Sequence, residues 1–173
     1  MNENSWSRDE LESAFQNWLT TVNQAGAGER SWRDYLELYT DDVVYHEQMA
    51  GTLKGREGIW AWAEPSLAQF PGSHTVAFHE HWHVIDEVAG KIVVKCDNVM
   101  SDPGDGTTYS APHVSILTYA GDGRFRGQED VYDVTTFLDV IKAWGRHAMK
   151  LGTFDATQRG WFEQVYPETV ESA

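Results

Sequence analysis

Cysteine occurs once in these 173 residues, at Cys96 within an apolar run. A lone thiol closes no internal disulfide, which argues against a stapled secreted scaffold and makes a reducing, cytoplasmic setting the expectation. Positive charge is also scarce: 13 Lys and Arg stand against 27 Asp and Glu, for a formal net charge of -14. Nucleic acid and anionic membrane surfaces both require clustered cationic side chains, and the few here are scattered, so neither is expected as a partner. Long hydrophobic runs are missing. No uncharged apolar stretch approaches the roughly 18 to 20 residues of a membrane span, and the opening MNENSWSRDEL lacks the basic-then-apolar order of an export signal. There is no Pro/Ser/Gly-rich linker, internal repeat or low-complexity segment, so a single domain is expected, large enough to bury about two thirds of its unfolded surface.

Aromatic rings, by contrast, are abundant, with eight Trp, seven Tyr and seven Phe. Many fall at positions that periodicity turns inward. A ring-lined pocket suits an apolar or ring-containing small molecule, while an aromatic-rich core is the plainer reading of the same composition.

Ser7 and Glu10 have capping-box spacing, and Leu11, Phe15, Trp18, Leu19 and Val22 recur at helical intervals, predicting a helix over 8–24. Ser31 is placed to cap a second helix carrying Tyr35, Leu36, Leu38 and Tyr39, followed by a short strand, VVYHEQM. A third helix is expected over 56–69, kinked or divided at Pro65. From residue 74 the period changes to two. Strands at 74–86, 90–101, 108–119 and 124–133, separated by DEVAG, DPGDG and AGDG, read as an antiparallel meander. Asp133 is placed to cap a further helix, DATQRGWFEQVY adds a short last one, and an acidic tail is expected to fray. The sum is an α+β domain with helices on one face of a curved sheet, an arrangement that leaves a cavity between the two.

Inward polar groups in such a cavity need a reason to be there. Val43, Tyr45 and Glu47 share one face of the first strand. In KIVVKCDNVM either Val93, Lys95, Asp97 and Val99 or Ile92, Val94, Cys96, Asn98 and Met100 face inward, and periodicity leaves both open. Asp130 shares a face with Tyr132, opposite Glu129 and Asp133. His113 alternates with Ser115, while Val114 and Ile116 read as pocket or core lining. His79, His81 and His83 stand at strand spacing, opposite Val76, Phe78, Trp82 and Val84. The outer two lie about 13 to 14 Å apart and cannot share one ion, so an outer or interface row is expected rather than a metal centre.

The order of elements, with LYTDDVVYHE, Gly51 and GREGI, SILTYAGDG and EDVYDVTTFLDVI, resembles the nuclear transport factor 2-like superfamily, particularly its SnoaL-like branch, over about 10 to 145. The resemblance implies a cone-shaped fold: a curved antiparallel sheet with N-terminal helices packed on its concave face, a cystatin-like α+β barrel, and an extra C-terminal helix. One such domain would span 1–173, with its core at 7–145 and a C-terminal extension at 146–173. Limonene epoxide hydrolase carries a Tyr-x-Asn, an Arg-x-Asp and an Arg-Asp-Tyr-Phe-Asp segment, to which Tyr45-His46-Glu47, Lys95-Cys96-Asp97 and Glu129-Asp130-Val131-Tyr132-Asp133 are similar. This comparison implies that Tyr45, Glu47, Lys95, Asp97 and Asp130 all point inward, although lysine lacks the planar fork of the family's arginine and glutamate replaces a neutral amide. Val99, Val114, Ile116, Tyr132, Phe137 and Trp62 are expected to complete the wall.

The resemblance implies a cofactor-independent acid–base enzyme for a small hydrophobic, terpenoid, steroid or polyketide-like molecule. The first expectation is epoxide hydrolysis. Asp130 would deprotonate a water held by Tyr45 and Glu47, Asp97 would protonate the opening oxygen, and Lys95 would link the acids. Ketosteroid isomerase has its carboxylate near the position of Glu47, which implies an alternative: an isomerase or aldol cyclase with Glu47 or Asp130 as base and Tyr45 or Asp97 at the enolate oxygen. A non-catalytic binding protein is the third reading. No cofactor or metal is expected, and a homodimer through the outer face of the sheet is implied.

Overall fold

A computed structural model describes residues 6–171, so the start of the segment read for an export signal and the last two residues of the acidic tail lie outside the described residues. Helix α1 (Arg8–Gly26) begins where the Ser7 hydroxyl accepts the Glu10 N–H at 3.2 Å, a cap that contributes about 1 kcal/mol. Ser31 likewise caps α2, but that helix stops at Leu36 (Trp32–Leu36), because Tyr39 already belongs to strand β1 (Tyr39–Glu47). A short β2 (Gly51–Lys54), absent from the sequence reading, folds back on β1. Helix α3 (Gly55–Ala68) runs through Pro65 rather than dividing there; the proline removes one N–H from the helical ladder, and the helix ends three residues later.

The remaining strands are β3 (Thr75–Asp86), β4 (Lys91–Met100), β5 (Ser110–Gly121) and β6 (Arg124–Val131). The sheet runs β2-β1-β6-β5-β4-β3, with β1 and β6 parallel and the other neighbours antiparallel. It is curved and unclosed, and helices pack on it as in the nuclear transport factor 2-like cone. Asp133 caps α4 (Val134–Leu151), accepting N–H bonds from Thr135 and Thr136; α5 (Ala156–Val165) follows, and the tail expected to fray forms α6 (Pro167–Glu171).

Two clusters hold these layers together. Leu11, Phe15, Trp18 and Val22 of α1 pack on Ile92, Val94, Cys96, Leu117 and Phe125 from the concave face. At the other end Phe70, Ile141, Trp144 and Phe162 bind α4 and α5 to the rim. The approach there is close: a Cβ on Gly145 would lie 2.2 Å from the Phe162 ring. Among the described residues no helix is long and apolar enough to cross a membrane.

Strand β3 departs from simple alternation. A bulge between Glu80 and Trp82 shifts its register against β4, so the side chains change faces in mid-strand. Trp82 and Val84, expected with the inner set, are 47% and 55% exposed. His83, expected in an outer row with His79 and His81, instead packs on Phe15 with ring centroids 4.4 Å apart. Its ring nitrogens lie 2.6 Å from Glu80 and 3.1 Å from Glu12. Burial works against its charge, but the hydrogen bonds and charges of Glu80 and Glu12 prevail, and its pKa is raised above 6.5. A raised histidine pKa stabilises the fold fully below the unfolded pKa, and the gain is lost as pH rises through the folded value. In urea titrations the stability difference between wild type and His83→Gln should therefore be greatest below pH 6.5 and shrink above it.

Candidate active site

Between the concave face, α1 to α3 and the C-terminal helices lies a cavity of about 590 Å³, the size of a pocket for one small molecule. Eleven of its lining residues are aromatic, including five of the eight tryptophans. β1 supplies Tyr45 and Glu47, β6 supplies Gln128 and Asp130, and Tyr132 follows at the end of the sheet. Trp62 comes from α3, Phe137 from α4 and Trp161 from α5. Tyr45, Glu47, Asp130, Tyr132, Phe137 and Trp62 thus lie together on the wall.

Asp130 is the hub. Its Oδ2 accepts the Tyr45 hydroxyl at 2.5 Å, its Oδ1 accepts the Ser115 hydroxyl at 2.5 Å, and the Gln128 amide nitrogen reaches both oxygens at 2.9 and 3.1 Å. Gln128 is itself held by its carbonyl, which accepts the hydroxyls of Tyr35 at 2.6 Å and of Tyr39. Tyr39 also accepts the Trp18 indole N–H at 2.9 Å. A buried chain of polar groups therefore runs from α1 to the carboxylate. Burial, followed by the charge of Asp130, pushes the Tyr45 hydroxyl well above the usual phenol range, so it remains a donor. Glu47 is fastened differently: its carboxylate accepts the Met49 and Ala50 N–H groups at 2.7 and 2.6 Å and the Tyr132 hydroxyl.

Lys95 and Asp97 do not join this group. Ile92, Val94 and Cys96 are fully buried on the concave side, which puts Lys95, Asp97 and Val99 on the other. The Asp97 carboxylate lies 3.1 Å from His81 Nε2 and accepts the Ser110 hydroxyl at 3.3 Å. A one-residue change of parity turns a whole strand over, and the uncharged set loses less on burial. Val99 is buried without reaching the cavity, and Val114 and Ile116 also stand outside its wall. Their places are taken by residues the sequence reading did not assign to the site: Asn98 on β4, and His113 and Ser115 on β5. Leu117 and Tyr119, both buried, share the parity of His113 and were the available signal.

His113 is 6% exposed, and its Nδ1 is buried without a hydrogen-bond partner. Burial lowers its pKa despite Asp130 and Asp97, leaving a neutral ring. A buried N–H without an acceptor costs more than an unused lone pair, so the proton belongs on Nε2, the nitrogen left to the cavity. Ser115 pairs with Asp130 across β5 and β6, which makes His113 the diagonal neighbour of Asp130, with about 7 to 8 Å between their Cα atoms. Cys96 is fully buried and its thiol is pushed up to about 12 by burial, so it is no nucleophile. Among the described residues no group of three or more His, Cys, Asp or Glu is arranged to hold a metal ion.

No curated protein matches the chain in sequence. Solved structures similar in fold include a candidate SnoaL-like polyketide cyclase from Jannaschia sp. CCS1, 18% identical over 78% of this chain and 95% of that one, with a TM-score of 0.56. A candidate isomerase from Bacillus subtilis is 13% identical over 78% and 91%, with a TM-score of 0.58. A protein of ketosteroid isomerase-like fold from Catenulispora acidiphila DSM 44928, in complex with trimethylamine, is 17% identical over 70% and 89%, with a TM-score of 0.54. The family description that matches, over residues 15–128, is the SnoaL-like domain. With that match covering more than half its length, on a cone whose concave face carries the cavity, the chain belongs to the SnoaL-like domain family.

Proposed function

We propose that the protein is a cofactor-independent isomerase or aldol cyclase for an apolar carbonyl compound. The observation that carries this reading is the presence of a clamped carboxylate, Asp130, and a buried neutral imidazole, His113, on the wall of one aromatic cavity. Asp130 takes a proton from the carbon beside a carbonyl, and the electron pair moves to the carbonyl oxygen. That oxygen gains negative charge where His113 Nε2–H and the Asn98 amide can donate to it. The proton then returns at another carbon, giving an isomer, or the enolate carbon attacks a second carbonyl and closes a ring. The names of the Jannaschia and Bacillus neighbours agree with this class.

Epoxide hydrolysis is the weaker reading, because it asks for a proton donor at the opening oxygen and Asp97 is turned away from the cavity. The test is a panel of β,γ-unsaturated ring ketones and diketones. Conjugation, followed by ultraviolet absorbance, or ring closure, followed by mass and NMR, is expected above the buffer rate. No turnover of either set, with an epoxide converted to its diol instead, would overturn the proposal. Asparagine-to-leucine replacement at Asn98 should lower kcat about 10-fold or more with little change in KM, since its donation matters chiefly in the transition state.

A further inference from the structure

The charge inside the cavity is one-sided. Two carboxylates, Glu47 and Asp130, belong to its wall, and among the described lining residues there is no Lys or Arg. The one titratable base, His113, is held neutral by burial. Both carboxylates bear on the same hydroxyls: the charges of Asp130 and Glu47 each raise Tyr45 and Tyr132, after the larger effect of burial. Hydrogen bonds from backbone and hydroxyl donors satisfy the oxygens but bring no compensating positive charge. The surrounding chain, at a formal -14, adds to the negative potential.

The rest of the wall is aromatic. Near Glu47, Tyr132 packs against Phe137 with centroids 5.6 Å apart, and Tyr45 meets Trp62 edge-on at 6.0 Å. Ring faces carry negative quadrupole potential, and a cage of rings beside a carboxylate attracts a weakly hydrated cation, such as a tertiary or quaternary ammonium group. A strongly hydrated ion would lose more on entry than the rings return.

From this geometry we infer that the natural ligand carries a cationic nitrogen on an apolar, ring-sized body, with the nitrogen seated against Glu47 among Tyr45, Trp62, Tyr132 and Phe137. This rests on the same cavity as the proposed reaction and narrows its substrate to carbonyl compounds bearing an amine. Glu47 becomes the anchor, which leaves Asp130 free to act as the base. It also accounts for the absence of any lining lysine or arginine, since either would compete for the site.

The test compares two isosteres, phenyltrimethylammonium and tert-butylbenzene, by isothermal calorimetry and by quenching of tryptophan fluorescence with the wild-type chain. The cation should bind at least about 10-fold more tightly. That preference should fall about threefold or more in Glu47→Gln, and further when Asp130→Asn is added. Should Glu47→Gln not fold, the wild-type ratio alone still decides. Equal affinities, a preference for the neutral compound, or a cation preference untouched by both substitutions would overturn the inference. Failure here is distinguishable from failure of the proposed reaction. Ketone turnover without cation preference leaves the chemistry standing and removes only the amine; cation preference without turnover of any carbonyl compound removes the chemistry and leaves the ligand.

Discussion

Asp130→Asn should lower kcat for a converted ketone by about 10²- to 10⁴-fold, the range that one positioned general base supplies. The change is nearly isosteric, so the cavity keeps its shape. What it removes is the proton acceptor, and what it adds is a local conflict. Gln128 presents its amide nitrogen to both Asp130 oxygens, and an asparagine would set an N–H₂ group against that donor. The cost of one unmet buried donor is about 1 to 3 kcal/mol, which a urea titration would register separately from the rate. Circular dichroism showing a native fold together with a rate within tenfold of wild type would remove Asp130 from the mechanism.

Phe162→Ala should destabilise the fold by about 3 to 5 kcal/mol, the usual cost of truncating a buried phenylalanine. Phe162 is fully buried, and its ring packs with Phe70, Phe154, Trp161 and Tyr166. It also fills the space left by the missing side chain of Gly145, where α4 and α5 meet. Its neighbours Phe70 and Trp161 line the cavity, and the loss should therefore reach the site as weaker binding of an apolar ligand. Urea denaturation gives the first effect, and titration of tryptophan fluorescence with tert-butylbenzene gives the second.

Features set by near neighbours in the chain are legible in the sequence. The caps at Ser7, Ser31 and Asp133 stand where their hydroxyl or carboxylate and the following helical period put them, and the three turns after residue 86 separate strands close to the expected bounds. Tyr45 and Glu47 share a face with Val43 and Asp130 shares one with Tyr132; the family resemblance turns all three inward, and the structure sets them on the cavity wall. The parity of β4 is different in kind. The face with Ile92, Val94, Cys96 and Met100 is the more apolar and carries no charge, yet alternation by itself does not say which face α1 covers; its packing on Ile92, Val94 and Cys96 does. The likeness of Lys95-Cys96-Asp97 to an epoxide hydrolase motif chose the other face. The bulge in β3 is invisible to any strict period of two, and it carries His83 under α1 while leaving His81 against Asp97 outside. Trp161 was beyond reach because nothing local brings a C-terminal helix back over a pocket begun at residue 45. The family match itself ends at residue 128, two positions before the carboxylate that organises the site.

The polar chain from Trp18 to Asp130 has a direction. An indole N–H only donates and a carboxylate only accepts, so the tyrosine hydroxyls and the glutamine amide between them all point the same way. Reversing Gln128 would turn its carbonyl toward the negative oxygens of Asp130 and its amide toward hydroxyls already committed as donors. An amide at that place holds its hydrogens and relays none, which insulates the carboxylate from water on the protein side. The hydroxyls that also hold the carboxylate, Ser115 and Tyr45, are themselves buried, so the open way out for a captured hydrogen is the cavity, and while a ligand fills it, that way leads to the ligand. An isomerised product should accordingly keep much of the hydrogen it arrived with, moved from one carbon to another, rather than take a fresh one from the solvent.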